Sequence, residues 1–510
     1  MINRRNVLGA TTGLAAAAAG LLGSGTASAR SFVPSTSTSW ASLERALTGD
    51  LMLPGETGYE GARKLASAQF DSIYPQAVAY CETEQDVSTC LRFAQDNGIH
   101  LAVRSGGHSY GGWSTTEGLV LNLTRMKHVV AGASEVRVGP GAQFVDVVQQ
   151  MAPHGLTIPG GFCPTVSPGG FISGGGTGWQ FRKFGPASDR LRSARVVLAD
   201  GRAVTASANY NADLFWALRG GGGGNFGVVT DFRMAPTSIQ RVGHYTLTWT
   251  WNDAQRAVAG FLDWAAQASA DLACGALIRM ADARPGAVPM IIVSGVHFGT
   301  MAALEGELAA LTGLIGTAPA TRVVQDLSYD KAMMRVFGCE DKTADACHTT
   351  GSSPDAMLPR TTYIKNRGRF FNRTMPQTGI DQMLAAFDSD RRAGQARVIS
   401  LLGLGKNANI PAVASTAWVH RDAQYSATIT TTLSPSFMTD EDKAAGGQWL
   451  DGVFNAVDPY SNSRSYVNFP DPELQNWADA YYGSNLPRLS SIKRRYDPYG
   501  FFTFAQSIPV

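Results

Sequence analysis

Three glycine-rich stretches hold the residue types that could do chemistry, and the first of them admits two different chemistries. In RSGGHSYGGWS, residues 104–114, the core Gly107-His108-Ser109-Tyr110-Gly111 has the form G-x-S-x-G, which can present Ser109 as a hydrolase nucleophile on a sharp turn from strand to helix. The same loop can instead form an anion nest. Backbone N–H groups of Ser105, Gly106, Gly107, His108 and Ser109 can converge on a phosphate, because glycine accepts the positive φ that such a concavity needs. His108 then stands ready as a point of attachment. The second stretch, PGGFISGGGTGW at 168–179, would let backbone lie close against a flat ring through Gly169, Gly170, Gly174, Gly175 and Gly178. The third, at 222–227, matches G-x-G-x-x-G.

The elements that must position these residues separate the readings. A nucleophile elbow needs a helix after the serine, but Gly111-Gly112-Trp113-Ser114-Thr115-Thr116 is a poor helix start and the next regular segment, GLVLNLT, is β-like. Asp422 and His420 could complete a triad, yet most long chains offer such a pair. A nicotinamide-type G-x-G-x-x-G follows a strand and opens a helix, whereas here DLFWALR before it reads as helix and VVTDFRM after it as strand. The order is reversed, so this match is a helix-to-strand turn. The phosphate nest is the reading that keeps its supporting elements.

The chain of 510 residues is long enough for two domains of roughly 200 residues each. A net charge of +2 with 16% charged residues gives no electrostatic reason to expect nucleic acid as partner. The 56 glycines are the conspicuous excess, and many gather at 106–112, 169–178 and 220–227. At the N-terminus Arg4-Arg5, an apolar run from Leu8 to Leu22, and small residues Ala27 and Ala29 form a twin-arginine signal, so the mature protein is expected to be exported. No later segment reaches the ~18 consecutive apolar residues that a span requires, and no membrane association is expected. The six cysteines include no C-x-x-C pair and no H-E-x-x-H accompanies them, which argues against a metal site. In an oxidising compartment Cys339 and Cys347 can close a short loop, with Cys81 and Cys90 a weaker pair and Cys163 left without an obvious partner.

From about residue 71 the pattern is β-α-β: AVAYC, then EQDVSTCLRFAQDNG with an acidic start and an Asn97-Gly98 stop, then HLAVRS. Strands are expected at GLVLNLT, EVRVGPGA, SARVVLADG, AVTAS and GVVTDFRM, with FVDVVQQMAPHG as a helix. Past about residue 240 the texture changes: HYTLTWTWN alternates like a sheet strand, AQRAVAGFLDWAAQAS and MAALEGELAALTGLIG read as helices, and PMIIVSGVHFG, ARVISLLGLG, STAWVH and YSATITTTL read as strands.

Together RSGGHSYGG, GFCPTVSPGGFISGGGTGW, DLFWALRGGGGGNFGVVT and the terminal YYGSNLPRLSSIKRRYDPYGFFTFAQSIP closely resemble the berberine bridge enzyme-like oxidases, a branch of the vanillyl-alcohol oxidase flavoprotein superfamily. The resemblance runs over almost all of the mature chain. It implies an α+β, two-domain PCMH-type FAD-binding fold: a signal at 1–29, an FAD-binding domain at 65–240, a substrate domain of large antiparallel sheet backed by helices at 241–455, and a C-terminal return at 456–510. It also implies FAD tethered twice, to His108 through the 8α carbon and to Cys163 through C6, with Arg104 and Asn468 among the cofactor's neighbours.

Val166 stands where, in that family, a small residue goes with oxygen reactivity, which favours an oxidase over a dehydrogenase or an oxidative cyclase. The family often uses a tyrosine of a Y-x-N-Y stretch as base, its phenol acidified by polar neighbours; here the segment is Tyr466-Val467-Asn468-Phe469. As an extended strand it would put Tyr466 and Asn468 on one face and turn Phe469 away, making Tyr466 the candidate base, with a packing role as the competing reading. Tyr425 and Tyr363 stand in reserve, and Tyr110 is placed to orient a substrate hydroxyl. Trp249, Trp251, Trp418 and Tyr425 are candidate stacking surfaces for a sugar. Expected partners are O2 and a small alcohol or carbohydrate, and the expected state is a monomer.

Overall fold

The β-α-β opening is present in the computed structural model, which describes residues 39–510; the signal expected at 1–29 lies outside the described residues. The helix Glu84–Asp96 starts at a capping box in which the Asp86 N–H donates to Thr83 Oγ1 and the Thr83 N–H donates to Asp86 Oδ2, both at 3.1 Å. It stops at Gly98, whose φ of 62° closes the turn. Strands Ala77–Tyr80 and Leu101–Arg104 flank Leu119–Asn122 in parallel register, and that central strand is buried throughout. Leu51–Met52 adds an antiparallel edge to Ala77–Tyr80, so this lobe begins before residue 65, earlier than the sequence suggests.

A second, antiparallel sheet runs Val129–Val130, Val136–Val138, Val228–Met234, Leu191–Val197 and Ala203–Ser207. The helix Phe144–Met151 carries Phe144, Val145, Val148 and Met151 into the same core. The expected texture change after residue 240 is a seven-stranded antiparallel sheet, in spatial order Thr321–Ser328, Arg241–Thr250, Met290–His297, Leu272–Met280, Gln395–Gly403, Tyr425–Leu433 and Tyr363–Phe371. Strict alternation of burial along Gln395–Gly403 and Tyr425–Leu433 leaves two unlike faces. One packs Ile399, Leu401, Ala427 and Ile429 against the helices Ala254–Gln267, Gln377–Asp388 and Asp440–Val457. Burial of Ile399, Leu401 and Ile429 contributes about 1.5–3 kcal/mol for each. The other face carries Ser400, Ser426, Thr428 and Thr430, and it is this face that meets the cavity described below.

Several expectations fail here for physical reasons. STAWVH is not a strand: the Trp418 N–H donates to Arg219 O at 2.9 Å and the Ala417 N–H to Trp216 O, which ties the segment to a helix end instead of a sheet. Trp249 is buried against the helices with its Nε1–H on Thr317 O at 3.1 Å, and Trp251 leaves the strand to begin a single 3-10 turn against Phe387. Trp418 fills a small core with Phe181 and Phe370. None of the three offers a stacking surface.

Cys339 and Cys347 are disulfide-bonded with Cα atoms 5.9 Å apart, while Cys81 and Cys90 are free, buried thiols 3.9 Å apart. The chain between this disulfide and residue 362 crosses to the first lobe. The Ala68 N–H donates to Thr361 O at 2.8 Å, the Thr361 N–H donates to Ala66 O at 3.1 Å, and Arg360 forks onto both oxygens of Asp71. Among the described residues no helix is long and apolar enough to cross a membrane.

His420 is buried beside Phe370 and Trp418 with Nδ1 unpartnered; burial first, then Arg464 and Arg421, pushes it down to about 3. The unfolded chain takes up this proton below its usual 6.5 and the fold does not, so the stabilising difference is complete above 6.5 and is lost as pH falls towards 3. The melting temperature is therefore expected to drop by several degrees between about pH 7 and about pH 5, and less so in His420→Phe. Equal drops in the two proteins would remove His420 from the account.

Candidate active site

The strand Leu101–Arg104 delivers the first glycine-rich loop to the edge of a cavity of about 720 Å³. Arg104 itself stands behind the loop. Its guanidinium donates to Ala62 O at 2.5 Å, Arg63 O at 3.0 Å and Ser114 O at 3.0 Å, so it ties the far end of the loop to the helix Tyr59–Arg63 and does not line the cavity, contrary to expectation. Ser105 to Ser109 do line it. Gly107 has φ of 69°, and a Cβ on Gly106 would lie 2.9 Å from Ser167 N and Thr165 O, so side chains are excluded where the loop meets its neighbour.

His108 shares a 2.7 Å hydrogen bond between Nε2 and Thr165 Oγ1, and burial pushes it down to about 4, so it is neutral. Cys163 is a free thiol open to the cavity; the protein mass around it raises its pKa. Tyr110 is raised by burial and then by the nearby Cys163, and stays protonated at neutral pH. Val166 lies on the same wall. Ser109 Oγ accepts a long 3.4 Å bond from the Trp113 N–H, and no helix follows it. The hydrolase geometry is missing, and the buried His420 neighbours Phe370 and Trp418 instead.

The second glycine stretch divides. Pro168–Ser173 is a short helix whose Gly169 and Gly170 line the cavity, and a Cβ on Gly170 would meet nothing within 4 Å. Gly174, Gly175 and Gly178 do not line it. A Cβ there would run into Asn468, the Trp418 ring and Gly160 O respectively, so these glycines allow protein to approach protein and not a ring. Two further walls are not evident as site residues in the sequence: the turn 222–228 between the helix Ala212–Ala217 and the strand Val228–Met234, and the terminal segment 502–505.

The Tyr466–Phe469 segment is a turn closed by the Phe469 N–H on Tyr466 O at 2.9 Å, not an extended strand. Phe469 consequently lines the cavity, edge-on to Tyr466 at 5.2 Å and to Tyr110 at 5.7 Å. Tyr466 Oη accepts from the Gly176 N–H at 2.8 Å and from Asn468 Nδ2 at 2.9 Å, while Asn468 Nδ2 also donates to Phe171 O. These donors pull the phenol down, but burial outweighs them and raises it to about 12, so it is not acidified as expected. Tyr425 is no candidate base: it shares a strand face with Ala427 and Ile429, stacks on Phe371 at 4.6 Å, and is absent from the cavity wall. Tyr363, opposite Leu433 at the far end of that strand pair, is absent too.

The donor set fits a flavin dinucleotide. Glycine-rich backbone suits a pyrophosphate, Ser114 Oγ and Thr115 Oγ1 are buried on the wall without partners, and aromatic rings bound one side. Among the described residues no cluster of His, Cys, Asp or Glu could hold a metal ion.

Comparison with known proteins agrees with this fit. Residues 75–207 match the FAD binding domain family and residues 465–509 match the family described as berberine and berberine like. An uncharacterised FAD-linked oxidoreductase of Bacillus subtilis, YgaK, is 28% identical over 470 residues, covering 91% of this chain and 97% of that protein. A carbohydrate oxidase of Microdochium nivale is 27% identical over 485 residues, covering 89% and 92%. The structure of the Physcomitrella patens BBE-like 1 protein superposes with a TM-score of 0.82 at 24% identity, covering 93% of this chain and 99% of that one.

Proposed function

Because this chain belongs to the FAD-binding, berberine bridge enzyme-like oxidoreductases, we propose that it is an oxidase taking a hydride from an alcohol, hemiacetal or sugar hydroxyl, with O2 as acceptor and hydrogen peroxide as product. We further propose that FAD is held covalently by His108 and Cys163, and that the protein works as a monomer and is exported, the export on the strength of Arg4-Arg5 and the apolar run behind it. The observation that carries the reading is that Tyr466, with its two hydrogen-bond donors, opens into the same cavity as His108, Cys163 and Val166. The similarity to a carbohydrate oxidase supports a hydroxylated substrate.

Bound FAD supplies a two-electron acceptor that can be reoxidised by O2. The rest belongs to side chains of this protein. Tyr466 Oη, as its phenolate, is the base that takes the substrate's hydroxyl proton and becomes a neutral phenol; the Gly176 N–H and Asn468 Nδ2 stabilise the phenolate before the transfer. Tyr110, held protonated, can donate to a substrate oxygen and orient it. Phe469 closes the side between the two tyrosines against water. His108 is neutral and bonded to Thr165, the form in which an imidazole nitrogen can bond to carbon.

Acid precipitation tests the attachment. Yellow colour should stay with the precipitate in the wild type and in the single variants His108→Ala and Cys163→Ala, and only the double variant should release FAD. Release from the wild type would end the covalent reading. Val166→Leu should slow reoxidation of the reduced protein in air by about tenfold or more, and an unchanged rate would remove Val166 from oxygen access. Peroxide formation across a panel of alcohols and reducing sugars tests the activity itself.

A further inference from the structure

The segments that carry His108 and Cys163 touch each other through one side chain. Thr165 Oγ1 lies 2.7 Å from His108 Nε2, and among the described residues this is the only hydrogen bond that the imidazole makes. Thr165 is buried, and the chain on either side of it is pinned to the start of the helix Phe144–Met151: the Val145 N–H donates to Pro164 O at 2.9 Å and the Phe144 N–H to Val166 O at 3.0 Å. The Thr165 carbonyl lies 2.9 Å from where a Cβ on Gly106 would be, so the His108 loop sits directly on it. From the other side the loop is held by the Ala66 N–H on Gly107 O at 3.3 Å. With both backbones anchored and a β-branched residue stiff at χ1, the hydroxyl has a fixed place against the ring.

That contact divides the two ring nitrogens. Nε2 is occupied by the hydroxyl, and Nδ1 is left without a hydrogen-bond partner among the described residues. In a neutral imidazole one nitrogen carries the hydrogen and the other the lone pair, and the bond made at one decides the state of the other. When the Nε2–H donates to Thr165 Oγ1, the lone pair is on Nδ1, the nitrogen free to attack carbon. Once Nδ1 is bonded to carbon, the neutral ring has its lone pair on Nε2. The Thr165 hydroxyl then donates instead of accepting, because a hydroxyl turns to suit either role. Valine at this position can do neither, and serine can do both.

Resting on the covalent reading above, we propose that Thr165 is a positioning residue for flavin attachment, its hydroxyl holding Nε2 so that His108 presents Nδ1 to the 8α carbon. In the step it prepares, the Nδ1–C bond forms and one C–H bond of the 8α methyl breaks. The methyl carbon is oxidised by two electrons, which pass to the flavin ring system and on to O2; the methyl proton and the Nε2 proton complete hydrogen peroxide. Thr165 itself gives up neither electron nor proton.

The test reads attachment and not turnover. Purified full-length proteins carrying FAD are precipitated with acid at intervals in air, and the fraction of flavin that stays with the pellet is followed with time. In Cys163→Ala, where His108 is the sole tether, that fraction should be complete. In Cys163→Ala combined with Thr165→Val it should rise at least about tenfold more slowly, the scale of one lost hydrogen bond. Cys163→Ala combined with Thr165→Ser should match Cys163→Ala, which separates the hydroxyl from the shape of the side chain. Thr165→Val alone should stay yellow in the pellet through Cys163, and NMR of the flavinyl peptide from Cys163→Ala should place the bond at Nδ1. Equal rates with valine, no recovery with serine, attachment at Nε2, or a colourless Thr165→Val protein would each overturn the inference. Release of FAD from Cys163→Ala with Thr165 intact would overturn the tether at His108, and the inference with it.

Discussion

Tyr466→Phe should lower kcat by about 10²–10⁴-fold with KM changed little, because it removes the base and keeps the ring that packs on Phe469 and Trp418. The pH profile separates this role from packing. With Tyr466 raised to about 12, its basic phenolate form is sparsely populated at neutral pH, so wild-type kcat/KM should climb as pH rises through the neutral and alkaline range. In Tyr466→Phe that climb should disappear. Asn468→Ala removes one of the two donors to Tyr466 Oη and leaves the Gly176 N–H, so it should raise the phenol further and cost about tenfold at neutral pH. A Tyr466→Phe enzyme that keeps both its rate and its pH slope would exclude Tyr466 as base.

The second large effect is expected at a residue far from the chemistry. Lys493 is fully buried and all three of its ammonium hydrogens are used: Asn225 O at 2.6 Å, Asp497 Oδ2 at 2.7 Å and Phe502 O at 2.7 Å. Asp497 in turn accepts from the Phe501 N–H at 2.8 Å and the Phe502 N–H at 2.9 Å. Two acceptors of this hub, Asn225 and Phe502, belong to separate walls of the cavity. Lys493→Met fills the volume but strands the Asp497 carboxylate, and should destabilise the protein by about 3–5 kcal/mol. It should also lower the ratio of flavin to protein absorbance, since the two walls lose their common anchor. Urea unfolding together with that ratio tests both halves. Loss of stability with full flavin content would make Lys493 a core residue only.

Much of this was legible in the sequence where the determinants are local. The helix Glu84–Asp96 announces itself through Thr83, Asp86 and Gly98, and the loop after Arg104 through its glycines. Parity along 425–433 was equally legible: Tyr425 falls in step with Ala427 and Ile429, so a strand with one wet face turns it away from Ser426 and Thr428. Expecting Tyr425 at the site neglects that parity. Asn468 ahead of Phe469-Pro470 likewise favours a turn over the extended segment first expected. The glycines at 174, 175 and 178 show the opposite limit. Gly169 and Gly178 look alike in sequence, and only the tertiary neighbours, Ser105 for one and Gly160 for the other, decide which faces a ligand. The walls at 222–228 and 502–505 depend on pairing across hundreds of residues, which no local pattern encodes.

That last distance has a biosynthetic meaning. The cavity needs Ser105 to Ser109 and also Phe502 to Ala505, and the Ile508 N–H is docked on Asn225 Oδ1 at 2.9 Å. A ribosome-bound chain has the nest long before it has the opposite wall, so whatever fills this cavity can be captured only after translation has passed residue 500. Loading is therefore a late, whole-molecule event, and a chain stalled short of that point should accumulate empty, however much ligand the cell supplies.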